Sequence, residues 1–162
     1  MMVCLKPLGL VDPLVLEFLQ KKLSKIFGEC SVLLPGKIPI EAYNPMRRQY
    51  NSTVILRSLS SECDIVLGIT DVDIFAGRMN FVFGEAELGG SRAIISLTRL
   101  KPEMYGMRNG ELLKLRALKE AMHEIGHVLG LEHCQNPKCV MYFSNWMDDT
   151  DRKENRFCDK CK

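Results

Sequence analysis

No uninterrupted apolar run in this chain approaches the ~18–20 residues that a membrane-spanning helix needs. The stretch Met1 to Leu10 carries one lysine and is soon cut by Asp12-Pro13, so it lacks the form of a secretory signal. An excess of one charge is missing too. The 22 Lys+Arg and 20 Asp+Glu give a net +2, no electrostatic footing for a nucleic-acid binder. Internal repeats and low-complexity segments are absent, and 46% apolar with 26% charged residues is a globular balance. The expectation is one domain spanning 1–162, cytoplasmic, with neither a nucleic-acid nor a membrane partner.

Helix and strand patterns alternate along the chain. Asp12-Pro13 reads as an N-cap followed by proline at the first helical position, with Leu14, Phe18, Leu19, Leu23 and Ile26 recurring at helical spacing until Gly28. Ser31 to Leu34 is a short strand candidate. Pro45 to about Leu59 again shows helical recurrence through Met46, Tyr50, Val54 and Ile55. Asp64 to Thr70 is nearly all apolar, as in a strand buried on both faces. Phe81–Phe83 and Ala93–Leu97 predict two further strands. Asn109-Gly110 precedes the strongest helix, Glu111 to about Leu129, with Leu112, Leu115, Leu118, Met122, Ile125 and Leu129 as its stripe. The alternation predicts an α/β chain with a mixed sheet. After Gly130 neither a strand nor a long helix is expected, so 131–162 needs something other than a core to order it.

Histidine is scarce, and all three copies fall between His123 and His133. His123 and His127, four apart on the predicted helix, share one face about 5–6 Å apart at Cβ, within reach of one tetrahedral ion. Glu124 stands beside that ion as a candidate general base. Gly130 has the residue type that ends a helix in a left-handed turn, which would carry His133 back as a third ligand. Three imidazoles leave one position open, the arrangement of a catalytic zinc. A chance match is disfavoured because the motif lies on an independently predicted helix and leaves no histidine over.

Seven cysteines are an odd number for a disulfide framework. Cys134 and Cys139, then Cys158 and Cys161, form two pairs whose spacing suits a closed four-sulfur zinc site able to order residues 131–162. Two disulfides are the alternative, disfavoured by the short-range pair and the missing signal. Cys4, Cys30 and Cys63 read most simply as small apolar residues.

The run His123–His133 has the form HExxHxxGxxH, the zinc signature of metzincin proteases. Continued by Cys134, Cys139, Met141 and the late Cys158–Cys161 pair, it resembles the archaemetzincins. The close likeness covers 123–161, with a looser one at Phe83–Ala86 and Ser96–Leu100. The resemblance implies an α+β-like metzincin fold with a twisted mixed sheet, a backing helix, an active-site helix and a methionine turn. It implies that Met141 forms a soft apolar floor beneath the zinc histidines. Other metzincins often have a tyrosine two residues after that methionine. Here Phe143 holds the position and Tyr142 is displaced by one, so no tyrosine switch is assigned.

The function expected is zinc-dependent peptide-bond hydrolysis on a peptide or protein substrate, as an aminopeptidase or an endopeptidase. His123, His127 and His133 would hold a catalytic zinc and the four cysteines a structural one, two ions per chain. The competing reading is a non-proteolytic binding or regulatory domain that keeps the metal, and a third is hydrolysis of a non-peptide amide. Asp71 and Asp73 are expected in a turn role rather than as ligands. Glu85 and Glu87 are expected to be solvent-facing charges on an edge strand, with capture of a substrate N-terminus as the alternative role.

Overall fold

The computed structural model describes residues 1–60 and 62–162. Strand β1 (Met2–Leu8) leads into helix α1 (Pro13–Phe27) and strand β2 (Glu29–Val32). The Asp12 side chain accepts from the Leu14 amide at 2.9 Å, and Gly28, at φ 105°, closes α1 by returning its N–H to Ser24. The buried face of α1 is Val15, Leu19 and Leu23; Leu14 and Ile26, expected in the stripe, are exposed. β2 starts two residues ahead of the expected Ser31.

Residues 45–59 do not form the single helix their apolar recurrence predicts. They follow strand β3 (Tyr43–Asn44) and contain strand β4 (Gln49–Asn51) and helix α2 (Ser52–Ser58). Two asparagines decide this. Asn44 Oδ1 accepts from the Met46 and Arg47 amides and stabilises a turn, while Asn51 Oδ1 accepts from Thr53 and Val54 and starts α2 afresh. Met46, taken as part of a buried stripe, is 93% exposed.

Strand β5 (Ile65–Thr70) is buried at all six positions, as expected. It is followed by β6 (Ile74–Phe75), β7 (Gly84–Ala86) and β8 (Arg92–Ser96). The main sheet runs β2-β1-β5-β8-β7, parallel except for β7, which pairs antiparallel at the edge; β3, β4 and β6 make a second, small sheet. Ile65, Leu67 and Ile69 of β5 join the core shared with α1 and α3 (Gly110–Val128), whereas Val66 joins the opposite core with Ile55 and Leu56 of α2. This is the mixed α/β architecture expected, with helices covering both faces.

Phe81–Phe83 lie outside any strand. Their two aromatic rings pack edge to face at 5.2 Å, and the Arg99 guanidinium lies over Phe81, so the aromatic pair forms a wall instead. α3 starts at Gly110, with Asn109 Oδ1 accepting from Leu112, and buries Leu118, Met122 and Ile125 as expected. Leu115 and Leu129 are exposed, and the buried face carries Arg116, Glu120, His123 and Glu124 instead. A short helix, α4 (Met147–Arg152), lies within the C-terminal segment. Arg116 ties it to α3 through a two-pronged pair with Asp151 at 2.8 and 2.7 Å.

Cys4 and Cys63 are joined in a disulfide, which corrects their reading as merely apolar residues. Pairing requires backbone proximity of the segment before β5 to the middle of β1, a relationship created by the sheet register and invisible in spacing. Cys30 is a buried free thiol, pushed up to about 11 by burial.

Candidate metal centre

The last turn of α3 brings the three histidines together. Gly130, at φ 97°, follows the helix in the left-handed conformation; its N–H returns to His127 and that of Leu131 to Gly126, both at 2.9 Å. This double closure reverses the chain and delivers His133. The nearest ring nitrogens of His123, His127 and His133 all lie within 4.8 Å of one another.

Backbone carbonyls settle which nitrogens face inward. His123 Nδ1 is 2.7 Å from Val140 O and His127 Nδ1 is 2.7 Å from Leu131 O. A carbonyl only accepts, so each Nδ1 carries the hydrogen and each Nε2 presents a bare lone pair. Those two Nε2 atoms are 3.2 Å apart. Lone pairs at that distance repel unless a cation lies between them. Tetrahedral zinc with nitrogens at 2.0–2.1 Å would set the spacing at about 3.3 Å. The donor set therefore fits zinc, and the carbonyl partners are the kind that orient metal-binding imidazoles. Burial, reinforced by the charge of Lys153, pushes His123 down to about 3, which keeps that ring neutral. His133 is lowered for the same principal reason.

Met141 is fully buried against Gly126, between His123 and His127 on the helix, and Phe143 lies 5.1 Å from the His133 ring. A cavity of about 600 Å³ opens beside the histidines, walled by 76–86, α3 and the segment after Phe143. Glu124 lines it, buried, with its Cγ against Gly84. Any Cβ at position 84 would collide with Glu124 or with the Ile94 carbonyl, so glycine is what lets the edge strand approach the carboxylate. Burial first, then the charges of Glu120 and Glu85, raise the Glu124 carboxyl well above the ordinary carboxylate range.

The four C-terminal cysteines form the second group. Their thiols are unbonded, with Cys134–Cys158, Cys139–Cys161 and Cys158–Cys161 sulfurs 3.7 to 3.8 Å apart. That is far longer than a disulfide and close to the roughly 3.8 Å edge of a zinc tetrahedron with 2.3 Å bonds. Although burial acts the other way, hydrogen bonds from the Lys160 amide and from Cys134 and Cys139 bring Cys158 down to about 7. The Cys134 amide donates to Met141 O and Val140 to Arg156 O, so the cysteine segment and the carbonyl that orients His123 form one backbone unit.

The other acidic candidates have different partners. Asp71 holds Lys101 at 2.6 Å, and Asp73 takes Arg99 and Gln49; neither joins a metal-binding group. Glu85 and Glu87 are not free edge-strand charges. Glu85 accepts from the Ser52 and Thr53 hydroxyls at the start of α2, and Glu87 is gripped by Arg92, which holds its carboxyl below the ordinary range. Glu120 and Lys153 are not among the candidates that the sequence offers, and Gly84 enters there only within the Phe83–Ala86 likeness. Glu120 could have been noticed as an acid on the apolar face of α3; Lys153 carries no local signal at all.

Residues 37–162 match the model of peptidase family M54. The archaemetzincin of Methanocaldococcus jannaschii is 58% identical over 99% of this chain and 90% of its own length. A crystal structure of the archaemetzincin from Archaeoglobus fulgidus complexed with malonate superposes with a TM-score of 0.91 at 49% identity, covering 99% of this chain and 98% of that one. A zinc-dependent peptidase from Methanocorpusculum labreanum gives a TM-score of 0.87 at 31% identity, over 98% and 97%.

Proposed function

The chain belongs to peptidase family M54, the archaemetzincins, and is a zinc metallopeptidase; on that premise we propose that His123, His127 and His133 hold the catalytic zinc and Glu124 is the general base. The observation that carries the assignment is the facing pair of Nε2 lone pairs, oriented by Val140 and Leu131. Zinc bound by three neutral imidazoles supplies Lewis acidity that makes water a nucleophile near neutral pH and polarises a carbonyl. Glu124 takes the proton from the attacking water and passes it to the nitrogen that leaves as the C–N bond breaks. β7, whose one partner in the sheet is β8, offers its other edge to an extended peptide beside Glu124. Phe143 and Met79 give the cavity part of its apolar lining.

Cys134, Cys139, Cys158 and Cys161 hold a second, structural zinc that orders 131–162 within the single domain. Among the described residues no helix is long and apolar enough to cross a membrane. The four free thiols are the redox state that a cytoplasmic setting keeps, with the Cys4–Cys63 disulfide the exception to it.

The test uses zinc-loaded protein and peptides with free and acetylated N-termini, which separates aminopeptidase from endopeptidase cleavage. Glu124→Gln should keep the parent zinc content while turnover falls by about 10²–10⁴. Parent-like cleavage by that variant would remove Glu124 from its role, and a parent inert towards every peptide and protein would favour a binding domain.

A further inference from the structure

Glu120 lies one turn before Glu124 on α3 and is 4% exposed. No hydrogen bond from any described residue reaches its carboxylate, whereas every fully enclosed side-chain oxygen among the described residues has a partner. The Glu120 oxygens therefore open on the cavity that the residue lines. A helix rises 1.5 Å per residue, so Glu120 stands roughly 6 Å from Glu124 towards the start of α3.

The charges around it are uneven. Lys153, 2% exposed, also lines the cavity, gives a hydrogen bond to Tyr142 O at 2.9 Å, and makes no direct ion pair among the described residues. Its one charge is shared between two carboxylates, Glu120 and Glu124. Glu85 is occupied by its hydroxyl partners, and Arg78 is exposed at the rim. Met79, Val82 and Phe143 make the intervening walls apolar. A cavity with apolar walls and, in its lining, an acid that no hydrogen bond or ion pair from the described residues reaches matches a side chain with an alkyl stem and a cationic head.

Resting on the peptidase reading above, we propose that this cavity receives a lysine or arginine side chain of the substrate and that Glu120 takes its charged head, making Glu120 a specificity-determining residue. An alkyl side chain of equal length fills the apolar part and leaves the buried carboxylate without a partner, which is where discrimination comes from.

The experiment is calorimetric binding of non-cleavable reduced-amide peptides to the zinc-loaded protein. They are matched sets carrying lysine, norleucine or glutamate at each residue flanking the reduced bond. Lysine should bind about tenfold or more tightly than norleucine at one of these positions. In Glu120→Gln that ratio should fall to near one. Equal affinity for lysine and norleucine in the parent overturns the proposal without reference to any variant. So does a preference for glutamate, which would make Lys153 the recognising group, or a lysine preference that survives Glu120→Gln. A lysine preference in binding, lost in Glu120→Gln but accompanied by no cleavage of ordinary peptides, would uphold Glu120 while counting against the hydrolytic reading.

Discussion

Gly126 leaves the space that the Met141 thioether fills: a Cβ at position 126 would run into Met141 Sδ and stand 3.0 Å from Phe157 Cε1. The helix between His123 and His127 is thus bare where the methionine turn lies against it. Two effects oppose each other in Gly126→Ala. Alanine in mid-helix is worth about 1 kcal/mol over glycine, but overpacking this fully buried contact costs about 1–3 kcal/mol. The second should win, lowering stability by about 1 kcal/mol. Displacing Met141 also shifts its neighbour Val140, whose carbonyl orients His123. Zinc affinity should therefore fall, by about 10-fold, in a competition titration. A variant more stable than the parent with unchanged zinc affinity would show that Met141 moves aside freely.

Elemental analysis of the parent should find two zinc ions per chain, and Cys158→Ser should hold one. Metal binding contributes folding free energy directly, of order 10 kcal/mol in small zinc modules. Loss of the four-sulfur ion should accordingly open 131–162 to proteolysis before the sheet unfolds. Because Val140 bonds backbone to backbone with Arg156, and Cys134 with Met141, the remaining ion should also be held less tightly. One ion in the parent would defeat either the four-cysteine or the three-histidine assignment, and an alkylation count of free thiols before and after chelation shows which; two ions in the variant would defeat the four-cysteine assignment.

How far sequence could be read depends on the separation between interacting residues. His123, His127, Gly130 and His133 are related by helical period and one turn, so spacing alone placed them together. β5 was legible because burial on both faces leaves a continuous apolar run. Pro45–Leu59 was misread because Met46, Tyr50 and Val54 mimic a helical stripe while Asn44 and Asn51 break the backbone. Aromatics favour strands, so Phe81–Phe83 reads as one; the strand that forms starts at Gly84, set by its pairing with β8 and by the close approach to Glu124, forty residues later. Glu85 was misjudged for the same reason: Ser52 and Thr53 reach it through tertiary structure alone.

Asp73 should make the fold acid-sensitive. Burial works to raise its carboxyl, yet hydrogen bonds from Arg99 and Gln49 outweigh this and hold it below the ordinary range. A carboxyl depressed in the folded state binds protons more readily when unfolded. Its stabilising contribution is therefore complete above the unfolded value of about 3.9 and lost as pH falls through the lower folded value. Asp73→Asn should lower stability at pH 7 by about 1 kcal/mol, since the pair is partly solvated. The gap between parent and variant melting temperatures should close as pH is taken from 6 towards 3. A gap that is constant across this range would assign the loss to packing rather than charge.

The Cys4–Cys63 disulfide closes a loop with a sequence separation of 59. Cross-linking such a loop restricts the unfolded chain by about 4 kcal/mol in the chain-entropy model. It joins β1 to the approach to β5, its parallel neighbour and the central strand of the sheet. Cys63→Ala leaves Cys4 as a small apolar residue in a site that is fully buried, so little packing is lost. The variant should unfold at lower denaturant concentration than the oxidised parent, with an unfolding free energy lower by about 2–4 kcal/mol. Reducing agents are a poor substitute for the substitution, because they also compete for zinc at Cys134, Cys139, Cys158 and Cys161. The zinc content of Cys63→Ala should equal the parent's, which separates the cross-link from the metal sites. Equal denaturation midpoints for Cys63→Ala and the oxidised parent would mean that the β1–β5 register holds without the bond.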